Sequence, residues 1–198
     1  MKKRNLFAIA SVVILLAACI PSVNPFYTDK DVVSDSHLVG EWVDKSNPDN
    51  PTTWKFEQAT NNAFKLTMSG EGKTGQFSAH LFKLKQQEFL DIIPADCEYA
   101  TNQVDVIAAS MFPGHLLLRV AQIDPVLKLS FCNFDWLGNY LKKNPRALAA
   151  HVEYESDTVK DSQLILTAST AALQKFVLKH LGTNELFKDY SEMQRQAK

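Results

Sequence analysis

The sequence predicts a mainly β domain: an antiparallel meander curled into a barrel or half-barrel, with two amphipathic helices in its C-terminal half. Three observations lead there. From Leu38 to Phe131 the chain is a series of short apolar runs separated by turn residues. In the clearest of them Phe64, Leu66 and Met68 alternate with Lys65, Thr67 and Ser69, the period of two that marks a half-buried strand. Helical spacing of apolar residues belongs to the later half of the chain.

Taken in order, Leu38–Asp44 is the first strand, and Thr53–Glu57 the second, with Trp54 and Phe56 on one face. After the Phe64–Met68 strand, Gly70-Glu71-Gly72-Lys73 turns the chain, because glycine supplies the positive φ of a tight hairpin. Gln76–Leu84 and Glu88–Ile93 make the next hairpin. Leu116–Ile123 and Val126–Phe131 follow, joined around Asp124-Pro125. Closing such a meander removes its exposed edges. A helix over Phe134–Lys143 puts Trp136, Leu137, Tyr140 and Leu141 on one face and ends at Asn144-Pro145. A second, from Thr170 to Leu181, carries Leu173, Phe176, Val177 and Leu181 on its buried stripe. Ser169 or Thr170 can cap its start and Gly182 its end. Short strands at His151–Glu155 and Gln163–Thr167 lie between the helices.

The N-terminus reads as an address. Lys2, Lys3 and Arg4 precede an apolar run from Leu6 to Leu16, about eleven residues where a membrane-spanning helix needs roughly 20. That is the h-region of a signal peptide. It ends in Leu16-Ala17-Ala18-Cys19, the pattern of a bacterial lipobox: a branched apolar residue, two small ones, and a cysteine whose thiol accepts diacylglycerol. Residues 1–18 are thus expected to be removed, and 19–36 to be a lipidated Cys19 followed by a flexible tether. Residues 37–198 are expected to form one β-rich domain. The expected location is the cell envelope, held to a membrane by lipid. Ile20 after the cysteine, where Asp would signal inner-membrane retention, favours the outer membrane in a host with two.

Loss of Lys2, Lys3 and Arg4 takes the formal charge from −1 to −4. The remaining basic residues are dispersed, and Lys142-Lys143 sits late in a helix, where cations suit the macrodipole. No footprint for nucleic acid results. Once Cys19 is acylated, Cys97 and Cys132 remain, and two readings stay open. They form a disulfide in an oxidising compartment, or they are two buried thiols. The bridge would close a loop of roughly 36 residues and contribute about 3–4 kcal/mol by chain entropy.

Several segments resemble a family of uncharacterised bacterial lipoproteins. They include Asn24-Pro25-Phe26-Tyr27-Thr28-Asp29-Lys30-Asp31, Leu38-Val39-Gly40-Glu41-Trp42, Gly72-Lys73-Thr74-Gly75, Phe89-Leu90-Asp91 and Leu166-Thr167-Ala168-Ser169-Thr170. The resemblance covers most of the chain after Cys19 and implies no activity. Gly40-x-Trp42 on the first strand also resembles the opening motif of lipocalin-like (calycin) barrels. In those the Trp plugs one barrel end and a late-strand Arg packs over it, a part the resemblance gives to Arg119.

No motif of catalysis is present: no GxSxG, HExxH, P-loop or Rossmann glycine pattern. No cofactor is implied. His37, His80, His115, His151 and His180 lack metal-ligand spacing, so no metal is expected, and His180 falls on an apolar helical stripe as a core or rim residue. The one constellation that stands out is His115, Leu117 and Arg119, which period-two geometry puts on one strand face. If that face lines the barrel, His115 and Arg119 point into its cavity, where Asp91 meets Arg119. With Trp42 they would hold a small anionic or amphipathic ligand, or they are an internal ion pair that specifies the strands. The long Pro94–Pro113 loop, with Val106, Ile107, Met111 and Phe112, is a lid, a docking surface or a plain insertion.

The functional expectation is a membrane-anchored, non-enzymatic module that binds a small hydrophobic or amphipathic molecule. The alternative is an accessory or interaction subunit of a cell-envelope assembly, with an envelope protein as partner and no small-molecule ligand. An apolar void on the order of a few hundred Å³ favours the first. A packed interior favours the second.

Overall fold

The computed structural model describes residues 20–44, 46–95, 113–152 and 164–196. In chain order these form β1 (Gly40–Asp44), β2 (Thr52–Gln58), β3 (Ala63–Gly70), β4 (Lys73–Leu84), β5 (Gln87–Pro94), β6 (Leu116–Gln122) and β7 (Val126–Phe131). Helix α1 (Phe134–Lys143), β8 (Ala150–Val152), β9 (Leu164–Leu166), helix α2 (Thr170–His180) and β10 (Ser191–Arg195) follow. Eight strands close into a barrel in the order β1-β10-β7-β6-β5-β4-β3-β2, and β8 and β9 pair separately. The chain is mainly β, with the two helices in its C-terminal half.

Sequence periodicity locates β1 to β7 within a few residues. It misses β10, which closes the barrel between β7 and β1. Ser191-Glu192-Met193-Gln194-Arg195 turns only Met193 into the core as an apolar residue, too little for alternation to register. The excursion from α1 through α2 is therefore an insertion between the last two strands of the barrel, and it packs outside.

Inside, Trp42, Phe56, Phe64, Leu66, Leu90, Ile92, Leu118 and Leu127 belong to one cluster, each without accessible surface. A second cluster lies outside the wall, where Phe82, Phe89 and Leu117 meet Leu137, Leu173, Phe176 and Phe187. This explains the sequence of β4 to β6. Strands covered on both faces lose their alternation, as in Leu81-Phe82, Phe89-Leu90 and Leu116-Leu117-Leu118. The β3–β4 turn is as expected: Glu71 and Gly72 both adopt positive φ, 51° and 73°, the pattern of a two-residue hairpin turn.

One end of the barrel is plugged. Trp42 donates from Nε1 to the Leu38 carbonyl at 2.9 Å, and the Arg195 guanidinium lies 4.2 Å over its ring. Arg195 also donates to the Val39 and His37 carbonyls, so three groups hold it in place. Arg119 does not pack there. Its neighbours Leu118 and Val120 fill the interior, so alternation turns Arg119 to the outer face of β6. The residue over Trp42 comes from the strand that sequence periodicity misses.

Residues 20–36, with a turn at Thr28–Asp31, lie against the outer wall and are bonded along it. Ser22 exchanges two backbone hydrogen bonds with His115 at the foot of β6. Val33 N–H reaches the Leu81 carbonyl and Lys83 N–H the Asp31 carbonyl higher up β4. This strap is part of the fold. Among the described residues no helix is long and apolar enough to cross a membrane.

Gly40 tests the plug. Its φ is +139°, and a Cβ there would lie 2.5 Å from Arg195 Nη1. Gly40→Ala is expected to cost about 1–3 kcal/mol through backbone strain and displacement of Arg195. Urea denaturation of the variant beside the wild type measures it, and an unchanged midpoint contradicts the plug.

Candidate functional site

The chemistry-bearing residues gather on the outer wall, beneath the strap. The buried stretch of β5 is apolar except for Asp91, which has no accessible surface. A carboxylate buried there requires donors. It has two: the Phe26 backbone N–H at 2.8 Å to Oδ2, and His115 Nδ1 at 2.7 Å to Oδ1. A carboxylate only accepts, so Nδ1 of His115 carries the proton. Both partners are placed by local structure. His115 stands at the foot of β6, locked by its backbone pair with Ser22, and the strap around Phe26 is fixed by the bond that the Pro25 carbonyl accepts.

The strap is held on its other side as well. Asn24 Nδ2 donates to the Ala168 carbonyl, Thr170 Oγ1 to the Pro25 carbonyl, and Gln174 Nε2 to the Phe26 carbonyl and to Asp31 Oδ2. Residues 20–36 are thus clamped between the barrel and α2. Tyr27 stacks on His80 with centroids 4.5 Å apart, and His80 is the register partner of Asp91. Burial pushes the Tyr27 phenol up to about 12, helped by the charges of Asp91 and Asp29. Burial lowers the His80 pKa, with Asp91 opposing it and His115 adding to it.

Chemically, a carboxylate that orients a histidine is the base half of a hydrolytic triad. The hydroxyl of Ser22, on the residue paired with His115, is buried and donates to the Asn24 carbonyl at 2.7 Å. The geometry is that of a staple. Among the described residues no group of His, Cys, Asp and Glu is placed to hold a metal ion.

The four side chains that the sequence suggests as one ligand site are separated. Trp42 is inside the barrel, while Asp91, His115 and Arg119 are outside. Asp91 meets His115 instead of Arg119. Arg119 donates to Gln87 Oε1, and its Nε finds no hydrogen-bond partner among the described residues. Sequence reasoning does not single out Phe26, Tyr27, Gln174 or Arg195. The signal available for the first three is the lone acid in Phe89-Leu90-Asp91-Ile92-Ile93, which demands donors from outside its strand. Cys132 is buried in the outer cluster. Cys19, Cys97 and most of the Pro94–Pro113 loop lie outside the described residues.

Between the wall and the insertion, Phe26, Leu117, Leu148, Phe176 and Val177 surround about 10 Å³, room for about one water. A cleft of about 440 Å³ beside β1 and β10 is open, lined by Asp44, Ser46, Ser191 and Glu192 together with Val43 and Tyr190. No family model, curated protein or solved structure matches this chain.

Within the outer cluster, an aromatic group joins the two helices. His180 is 7% exposed, and Trp136, Tyr140 and Phe176 surround its ring at 4.6–5.1 Å between centroids. Burial lowers its pKa, with Lys179 acting the same way.

Asp91→Ala leaves the Phe26 N–H and His115 without their acceptor and is expected to cost about 3–5 kcal/mol. Asp91→Asn, which keeps an acceptor, costs less, and Arg119→Leu costs under about 1 kcal/mol. Chemical denaturation ranks the three, and an Arg119→Leu loss equal to that of Asp91→Ala contradicts the staple. For His180, the unfolded chain takes up a proton at higher pH than the folded one. Its contribution is complete above the unfolded value of about 6.5 and is lost as pH falls through the lowered folded value. Melting temperature followed from neutral to acid pH should therefore fall less steeply for His180→Phe than for wild type. His80 shifts the same way, so some slope remains.

Proposed function

We propose that this chain is a lipid-anchored envelope lipoprotein acting as an accessory or interaction subunit, without a small-molecule ligand inside its barrel. The observation that carries this reading is the filled interior. Trp42, Phe56, Phe64, Leu66, Leu90, Ile92, Leu118 and Leu127 have no accessible surface, so none of them borders a void that admits water. A carrier of the kind expected from the sequence needs a void on the order of a few hundred Å³. The enclosed space beside the wall, about 10 Å³, is far below that.

The lipobox at Leu16-Ala17-Ala18-Cys19 supports the anchor. A rigid, packed barrel with its chemistry spent on internal contacts suits a part that works by presenting its outer surface. The polar groups that resemble a site in the sequence make contacts within the fold: Asp91 and His115 bind the strap, and Arg119 donates to Gln87.

The test is native mass spectrometry of the protein extracted from membranes, with metabolic fatty-acid labelling in parallel. The expected mass is that of the chain from Cys19 onward plus acyl groups, with Cys19→Ala unlabelled. A stoichiometric small molecule released on denaturation overturns the subunit reading in favour of a carrier. Equal labelling of Cys19→Ala overturns the anchor.

A further inference from the structure

We infer that the outward face of the two-helix insertion is a basic surface that seats the domain on anionic lipid headgroups. This deepens the envelope-lipoprotein reading and rests on it.

The cations of this face are far apart in the sequence and are gathered by the packing of α1 on α2. Trp136 lies 5.1 Å from His180 and Tyr140 5.7 Å from Phe176, centroid to centroid, so the two helices run antiparallel. Leu137 and Leu141 of α1 and Leu173 and Val177 of α2 belong to the outer cluster against the wall. Helical spacing then puts Lys143 on the outward side of α1, and Lys175 and Lys179, one turn apart, on the outward side of α2. Lys142 and Arg146 flank them at the end of α1, and all of these cations are exposed. The only carboxylate on either helix is Asp135.

The charge of this face is not spent on the fold. On the barrel, Lys55, Lys83 and Lys128 each meet a glutamate at 2.7–3.0 Å. Among the described residues, none of the insertion's cations forms an ion pair with a carboxylate. The helix macrodipole accounts for Lys142, Lys143 and Lys179 in the last turns, but not for Lys175 or for Arg146.

The chemistry of the face selects its occupant. Protein interfaces are depleted in lysine and are built on buried aromatic or arginine anchors. Here the cations are lysines apart from Arg146, and the exposed large apolar side chains among the described residues, Val23 and Tyr190, belong to neither helix. Exposed lysines without an apolar anchor suit a planar anionic surface, where each cation near the headgroups strengthens binding roughly fivefold. A basic patch is also the second signal that makes an acyl anchor stable.

The experiment uses the acylated full-length protein in vesicles that carry a headgroup energy acceptor, made of phosphatidylcholine with or without phosphatidylglycerol. A fluorescent amino acid replaces Asn139, exposed on α1, or Lys55, exposed on the uncovered side of the barrel at β2. Phosphatidylglycerol is expected to raise transfer from the Asn139 position several-fold over that from Lys55, and high salt should reverse the gain. Lys143→Gln, Lys175→Gln and Lys179→Gln together should remove it with the melting temperature unchanged. Equal transfer from the Asn139 position in neutral and anionic vesicles overturns the seat. A gain that survives the three substitutions also overturns it. Fatty-acid labelling reads the anchor separately, and a chain without acyl groups overturns the reading on which the seat rests.

Discussion

Asp91 places a carboxylate with no exposed surface between the barrel wall and the segment packed outside it. Left alone, such a group would cost several kcal/mol, and the two donors that satisfy it come from outside β5. One is the Phe26 backbone N–H and the other His115 Nδ1. The acid thus joins the strap to β5 and to the foot of β6 at once. The strap in turn holds the insertion, because Gln174 and Thr170 of α2 donate to its carbonyls and Leu166 of β9 bonds to Pro21 and Val23. The outer apolar cluster, which holds Phe26 with Leu173 and Phe176, is organised around that contact.

A barrel clothed on one side has consequences for its strands. β4 to β6 carry apolar residues on both faces, while β2 and β3 keep exposed residues such as Lys55 and Lys65 between buried ones. Interior space is consumed by large side chains: Trp42, Phe56 and Phe64 are all fully buried. Such packing gives rigidity and stability and leaves function to surfaces, which is the physical basis of the subunit proposal.

Much of this is legible in the sequence. Alternation at Phe64–Met68, the Glu71-Gly72 turn and the stripe on Phe134–Lys143 are local signals, and each corresponds to an element of the fold. The parts that are not legible are those fixed by long-range pairing. β10 carries one inward apolar residue and is a strand because β1 and β7 offer open edges. Residues 20–36 have the composition of a linker, yet their polar groups are satisfied by partners far away in the sequence, such as Asp91 and Gln174 with Phe26. The Asp91 cluster is half visible. Asp91 and His115 both belong to the constellation that alternation suggests, but period two cannot say which face of β6 is inside when both faces are apolar.

Residues 20–36 belong to the fold and are held there by Asp91, and native-state hydrogen exchange resolved at single amides tests this most directly. The amides of Ser22, Val23, Phe26 and Val33 are expected to exchange orders of magnitude more slowly than an unstructured chain, together with the outer barrel strands they bond. Exchange of these four amides at the rate of an unstructured chain, with the barrel still protected, would contradict it.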